Sequence, residues 1–311
     1  MNKYGPEGVL IKEYSNLEYI STRAGLERAL ETGAILEAEA ILCDHDMNLH
    51  VSLGERVRGI IPRDEVEYNK NEATKDIAIL TRVGKPVCFK VSGFRRDNTG
   101  GTVAILSRRE AQRECMEYYI STLKAGDIIK SRITHLESFG AFVDIGCGII
   151  SLLSIDAISV SRISHPAERV SVGELLYTVV REIDDRGRIY VSERELLGSW
   201  LENASLFAEG ETVRGIVRSV EDYGIFVELK PNLAGLAEYR DDVTVGQTAA
   251  VYIKSIIPEK MKIKLIIIST HDSRSAPEPL EYFIDTDTVY HLDEWRYSPP
   301  TSKRTIETVF S

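Results

Sequence analysis

The stretch ESFGAFVDIGCG, residues 137–148, decides how this chain is read. Two phenylalanines, Phe139 and Phe142, flank a Gly-Ala pair directly ahead of a short alternating run. Such rings either fill a core or form an exposed platform for flat ligands, and the rest of the chain has to choose. Around them runs a unit that opens at Gly126 with GDIIKSRITHLESFGAFVDIG and closes through VSVGELLYTVVREIDDRGRIYVS at Ser192.

The unit recurs. EGETVRGIVRSVEDYGIFVELKPNLAGLAE, continued by VTVGQTAAVYIKSIIPEKMKIKLII, repeats a glycine, an aromatic thirteen residues later, then Gly and Phe. The positions are Gly126, Phe139, Gly140, Phe142 and Gly210, Tyr223, Gly224, Phe226. A weaker copy precedes both, TGAILEAEAILCDHDMNLHVSLGERVRGIIPRDEV followed by RVGKPVCFKVSGFRRDNTGGTVAILS; it puts Met47 and His50 where the rings stand elsewhere. Internal repetition of this kind sets the architecture before any local reading does.

Each copy is a series of short runs rich in Val, Ile and aromatics, broken by Gly, Asn and Asp, which is the pattern of a small barrel. The expected fold is therefore all-β in the main, with three tandem five-stranded barrels joined by short helices and an aromatic-rich C-terminal tail. The boundaries are a lead-in with a helix over 1–32, repeat one over 33–107, a helical connector over 108–125, and repeat two over 126–192. A second helical connector over 193–209, repeat three over 210–270 and the tail over 271–311 complete the chain. Ser21 or Thr22 is the expected N-cap of the lead-in helix. Pro277 and Pro279 mark a linker, while Tyr282, Phe283, Tyr290, Trp295 and Tyr297 are too many rings for a purely solvating tail. Docking of that tail on repeat three or on a partner follows.

Composition narrows the classes. With 43% hydrophobic and 28% charged residues in 311, the chain is long enough for several cores. No apolar run reaches the roughly 18 residues of a bilayer span, and MNKYGPEGVL lacks the parts of a secretory leader, so a cytoplasmic protein is expected. Cys43, Cys88, Cys115 and Cys147 are scattered without CxxC spacing, which suggests neither a disulfide frame nor a zinc site. DHDMN, Asp44 to Asn48, reads as a polar hairpin turn. The search for a nucleophile elbow, a phosphate-cradling glycine loop, a metal-spaced cluster or a carboxylate pair with a base finds none. No enzyme, cofactor, metal or small-molecule substrate is expected.

The net charge of −10 argues against a nucleic-acid ligand, yet the acidity is uneven. Residues 271–311 hold eight acids against four bases, whereas 210–270 hold eight of each. Strand parity puts Ile189 and Val191 on one face of RGRIYVS and Arg188 with Tyr190 on the other. In EKMKIKLI it puts Lys260, Lys262 and Lys264 opposite Met261, Ile263 and Leu265, as either a solvated edge or a phosphate contact. The rings of each pair are three apart, so an unbroken strand would part them; Gly140 and Gly224 are expected to reset the phase. The loop ISVSRISHPAERVS brings Arg162, His165 and Arg169, either as plain loop residues or as ligand contacts.

FGAFVDIG, the following GIISLLSI and VVREIDDRGRIYVS resemble the S-one RNA-binding domain family, five-stranded oligonucleotide-binding barrels. The resemblance spans about four fifths of the chain and is specific in repeats two and three. It implies an RNA-facing patch of two aromatics, a histidine, an Asp and an Arg, which fall in repeat two on Phe139, Phe142, Ser154, Asp184 and Arg188, with Ser154 replacing the histidine. Repeat three offers Tyr223, Phe226, Glu238, Pro258 and Lys262, and repeat one Met47, His50, Pro62 and Val103. The implied activity is non-catalytic binding of single-stranded RNA, mRNA in particular, in translation, with repeat one facing the small ribosomal subunit. An accessory that presents RNA to a nuclease and a protein scaffold without RNA binding are the competing readings.

Overall fold

A computed structural model describes residues 3–54, 57–68, 74–97, 100–272 and 280–310. The chain forms two compact units, one of Met1–Leu123, Lys130–Arg132 and Asp144–Ile150, the other of Lys124–Ile129, Ile133–Val143 and Ser151–Ser311.

In the first unit, helices α1 (Tyr14–Ile20) and α2 (Arg23–Thr32) lead into a barrel. Thr22 is the N-cap of α2, its hydroxyl accepting from the Gly25 amide at 3.0 Å. Strands β1 (Leu36–Cys43), β2 (Leu49–Ser52), β3 (Arg58–Ile61), β4 (Pro86–Arg96) and β5 (Thr102–Ser107) close in the order β1-β2-β3-β5-β4. Leu36, Leu49, Ile61, Phe89 and Leu106 fill the interior, and Leu26 and Ala29 of α2 pack against them. The long β3–β4 connection carries the short helix α3 (Asp76–Leu80). The connector to the next repeat is helix α4 (Arg108–Tyr118), capped by the Ser107 hydroxyl.

This unit has a buried ionic lock that no sequence pattern announces. Glu7 accepts from fully buried Arg108 at 2.6 and 3.1 Å and from the Cys88 amide at 3.0 Å. Its own amide donates to Asp144 at 2.7 Å, and Asp144 also takes the amides of Gly146 and Gly148. A Cβ at Gly148 would stand 1.8 Å from the Arg108 guanidinium, so only glycine fits.

The second unit holds two barrels. The first has β6 (Ile128–Glu137), β7 (Gly140–Asp144), β8 (Ile150–Ser154), β9 (Leu175–Ile183) and β10 (Ile189–Ser192), with helix α5 (Ile155–Ile158) after β8. Its order is β10-β8-β7-β6-β9. The expected helical connector is only a 3-10 turn at Arg194–Leu197 and helix α6 (Trp200–Ala204), because Gly198 at φ 80° interrupts it and Ser199 starts again with a capping box to Glu202. The last barrel has β11 (Thr212–Glu221), β12 (Gly224–Lys230), β13 (Leu233–Ala237), β14 (Thr248–Ile257) and β15 (Lys262–His271), ordered β11-β12-β13-β15-β14. Each of these two repeats opens on a glycine in the left-handed region, Gly126 at φ 93° and Gly210 at φ 92°. That conformation is why the repeat pattern starts with glycine.

The tail returns to both barrels. Its hairpin of β16 (Glu294–Arg296) and β17 (Glu307–Val309) buries Trp295 and Tyr297 in the cluster of the last barrel, where Trp200 also lies. Tyr282, Val289, Leu292 and Phe310 pack instead near Ile128, Val179 and Leu196 of the middle one. Tyr290 stays exposed. The linker prolines Pro277 and Pro279 lie outside the described residues.

The loop between β8 and β9 corrects an expectation. Arg169 is no ligand contact: it is 5% exposed and paired with Glu228 of β12. Arg218 of β11 donates to the same carboxylate at 2.9 and 3.1 Å and also binds Glu168. Beside it, Asn232 accepts from the Val160 amide and donates to the Arg194 and Gly198 carbonyls. The loop holds the two barrels together because its charges are spent on this contact. His165 closes its own turn, Nδ1 accepting from the Ala167 amide at 3.1 Å. Arg162 alone of the three is exposed.

Candidate nucleic-acid interface

In the middle barrel Phe139 and Phe142 meet edge to face, 6.0 Å apart and at 90°. Phe139 is 53% exposed and Phe142 half-buried. Their common surface arises from the turn rather than from a bulge at Gly140. Phe139 sits in the β6–β7 turn, outside the strand phase, and β7 begins only at Gly140. Gly140 supplies space, since a Cβ there would come within 2.5 Å of the Leu153 carbonyl oxygen.

A third ring was not anticipated. His135 of β6 lies over Phe142 with centroids 6.3 Å apart and planes 23° from parallel, and it is tied to Glu137 at 2.8 Å. Its place on the outer face of β6 follows from strand parity once the turn is fixed, but a lone histidine carries no signal of its own.

A cation of the same barrel, Arg188, is held in place. Asp184 Oδ1 accepts from the amides of Arg188 at 2.8 Å and Arg186 at 3.0 Å, and Oδ2 accepts from Arg188 Nε at 2.7 Å. The Arg188 amide, with that guanidinium and the Arg186 amide, keeps the carboxyl below its usual range. Asp184 thus forms the hairpin turn and fixes the guanidinium, whose side chain remains 62% exposed. Ile189 and Val191 face the core while Tyr190 faces outward, half-buried. Ser154, Arg181, Glu182, Asp184, Tyr190 and Val191 line a pocket of about 280 Å³. Strand pairing sets Tyr190 beside Leu152 of β8 and Glu182 of β9. Sequence reasoning found Ser154, Asp184 and Tyr190 but not Arg181 or Glu182.

The last barrel repeats the pair: Tyr223, 71% exposed, meets Phe226 at 6.1 Å and 84°. Register carries the outer row from Phe226 to Leu236 of β13 and on to Lys264 of β15, which takes the place Tyr190 has in the middle barrel. Lys262 and Lys264 point outward from β15. Lys260 does not share their strand: it ends a 3-10 turn at Pro258–Lys260, and Met261 at φ 48° separates it from β15. Glu238 is exposed just beyond β13.

The first barrel has no ring pair at these positions. Met47, at φ 62° in the β1–β2 turn, leans on the core, and His50 is bound to Asp44 at 3.0 Å. Asp44 also accepts the Asp46 and Asn48 amides, so DHDMN is a side-chain-closed turn. Among the described residues no group of His, Cys, Asp and Glu is arranged to hold a metal, and no helix is long and apolar enough to cross a membrane.

Three closed five-stranded barrels, of which the middle and last present an outward ring pair, define an oligonucleotide-binding protein of the S-one type. The model of the S1 RNA binding domain matches residues 122–194, the repeat with the fullest platform. Small ribosomal subunit protein bS1 of Staphylococcus saprophyticus is 30% identical over 288 residues, covering 87% of this chain and 70% of that protein. The bS1 protein of Staphylococcus aureus strain COL is 26% identical over the same length, covering 87% and 71%. A crystal structure of a multidomain protein with nucleic acid binding domains from Streptococcus pneumoniae is 15% identical over 76% of this chain and 73% of that one, at a TM-score of 0.24. The chain belongs to the bS1 family of small ribosomal subunit proteins.

Proposed function

We propose that the protein binds single-stranded RNA, and mRNA in particular, without catalysis, on the outer faces of the middle and last barrels, in translation at the small ribosomal subunit of the cytoplasm. One observation carries the reading: Phe139, Phe142 and His135 form a solvent-facing group of rings in the same barrel as an arginine fixed by Asp184. Bases stack on such rings for about 1 to 3 kcal/mol each without regard to sequence. The guanidinium adds a phosphate or base contact. Tyr223 and Phe226 with Lys262 and Lys264 extend the track, while Glu238 weakens it. The acidic total keeps affinity modest and sensitive to salt.

Family membership supports the ribosomal role. The first barrel, with Met47 and His50 in place of rings, is assigned to docking on the subunit. The test is sedimentation of the tagged full chain with small ribosomal subunits, before and after nuclease treatment. Retention with the subunit after mRNA is digested is the expected result. Migration apart from subunits, together with a nuclease, contradicts the role and favours presentation of RNA for decay.

A further inference from the structure

All three barrels share a β-bulge at one place, and only the middle one fills it with a charged pair. The pairing of β4 with β5 skips a residue between Val91 and Gly93, that of β9 with β10 between Val180 and Glu182, and that of β14 with β15 between Ile253 and Ser255. The residues at the irregularity are Ser92 and Gly93, Arg181 and Glu182, and Lys254 and Ser255. A bulge re-aims side chains, so two neighbours share a face that strand alternation would divide. In the middle barrel it brings Arg181 and Glu182 together on the pocket beside Tyr190.

The carboxylates in that pocket are not equivalent. Asp184 is occupied by two amides and a guanidinium. Glu182 is exposed and makes no hydrogen bond or ion pair with any described residue, so both its oxygens are open. Among the described residues Arg181 is held only by Asp156, at 3.6 Å. An aromatic wall, a free carboxylate and an adjacent guanidinium form a cleft on the scale of one nucleobase.

We infer that this cleft reads guanine. Flipped bases in single strands are recognised by stacking and by hydrogen bonds along the Watson–Crick edge. A carboxylate has two acceptor oxygens and needs two adjacent donors. Guanine alone offers them, in N1–H and the N2 amino group, next to an O6 acceptor that suits the Arg181 guanidinium. Cytosine and adenine set one amino donor beside a ring nitrogen lone pair, and uracil sets one N–H between two carbonyls, so each turns a lone pair toward Glu182. Arg181 also offsets the repulsion between Glu182 and phosphate. The inference rests on the RNA-binding reading of the same surface and adds a preference at one nucleotide.

The test uses the full chain and oligouridines of about ten nucleotides, a length within the usual site size of such barrels. One carries a single central guanosine, one carries inosine there, and one is unsubstituted. Hydrogen bonds to a charged partner are strong enough for a preference of about tenfold for guanosine over uridine. Inosine, which lacks the N2 amino group, should lose most of it. In Glu182→Gln the guanosine-to-uridine ratio should fall to near one. Equal binding of the three oligomers by the wild-type chain, or a ratio that survives Glu182→Gln, overturns the inference while leaving RNA binding intact. Failure of every oligomer to bind removes the reading beneath it as well.

Discussion

Glu228 supports the pairing of the middle and last barrels, and replacing it with Gln measures how much. Its carboxylate is 5% exposed and faces both Arg169 and Arg218, whose side chains are 5% and 8% exposed. The substitution keeps volume and leaves an amide oxygen as acceptor, so no cavity opens. It does remove the carboxylate paired with Arg169, which then has only the more distant field of Glu168, while Arg218 retains its contact with Glu168. Breaking a buried pair from one side costs about 3 to 5 kcal/mol; the surviving acceptor and Glu168 put this case near 3. Both tryptophans of the chain, Trp200 and Trp295, lie in the core cluster of the last barrel. Their fluorescence during urea unfolding therefore reports that barrel. With a slope near 2 kcal/mol per M, the midpoint should fall by about 1.5 M. Limited proteolysis should at the same time open the loop around Arg162. A midpoint within about 0.25 M of wild type, about 0.5 kcal/mol at that slope, with the loop still protected, would show that the charges do not hold the barrels.

Other consequences are as direct. Burial pushes the carboxyl of Glu193 up to about 8, with Tyr282 donating to it at 3.1 Å. The folded state therefore holds a proton that the unfolded chain releases near the ordinary glutamate value. This contribution is complete below that value and declines as pH rises to about 8. Glu193→Gln should flatten the decline in thermal stability between pH 5 and about 8; an unchanged slope would assign the pH dependence elsewhere. Arg188→Ala should lower the salt dependence of RNA affinity by about one phosphate's worth, and an unaltered slope in a titration over salt concentration would remove Arg188 from the backbone contacts.

Much of this was legible because it is local. The spacing from Gly126 to Phe139 and from Gly210 to Tyr223 reflects a positive-φ turn followed by a strand and hairpin of fixed length, so it survives in sequence. Parity placed Tyr190 opposite Ile189 and Val191 because burial alternates over these three residues of β10, and Arg188 is exposed one residue before that strand. What escaped is non-local or irregular. The acidic partner of Arg169, Glu228, lies 59 residues away in another repeat, so a buried cation looked like a free loop charge. Lys260 was placed on a strand because nothing in EKMKIK marks Met261 as left-handed. Arg181 and Glu182 stayed hidden since strict alternation assigns them to opposite faces, and only the pairing with β10 reveals the bulge.

The most direct test of the central claim is a titration of single-stranded RNA against Phe139→Ala, with circular dichroism melting of the same variant. Phe139 is half open to water, so its removal should barely move the melt. Loss of one stacked base should weaken binding by about 1 to 3 kcal/mol, roughly five- to 150-fold. Wild-type affinity, or a melt lowered as by a core deletion, would mean that the ring serves the barrel and not the nucleic acid.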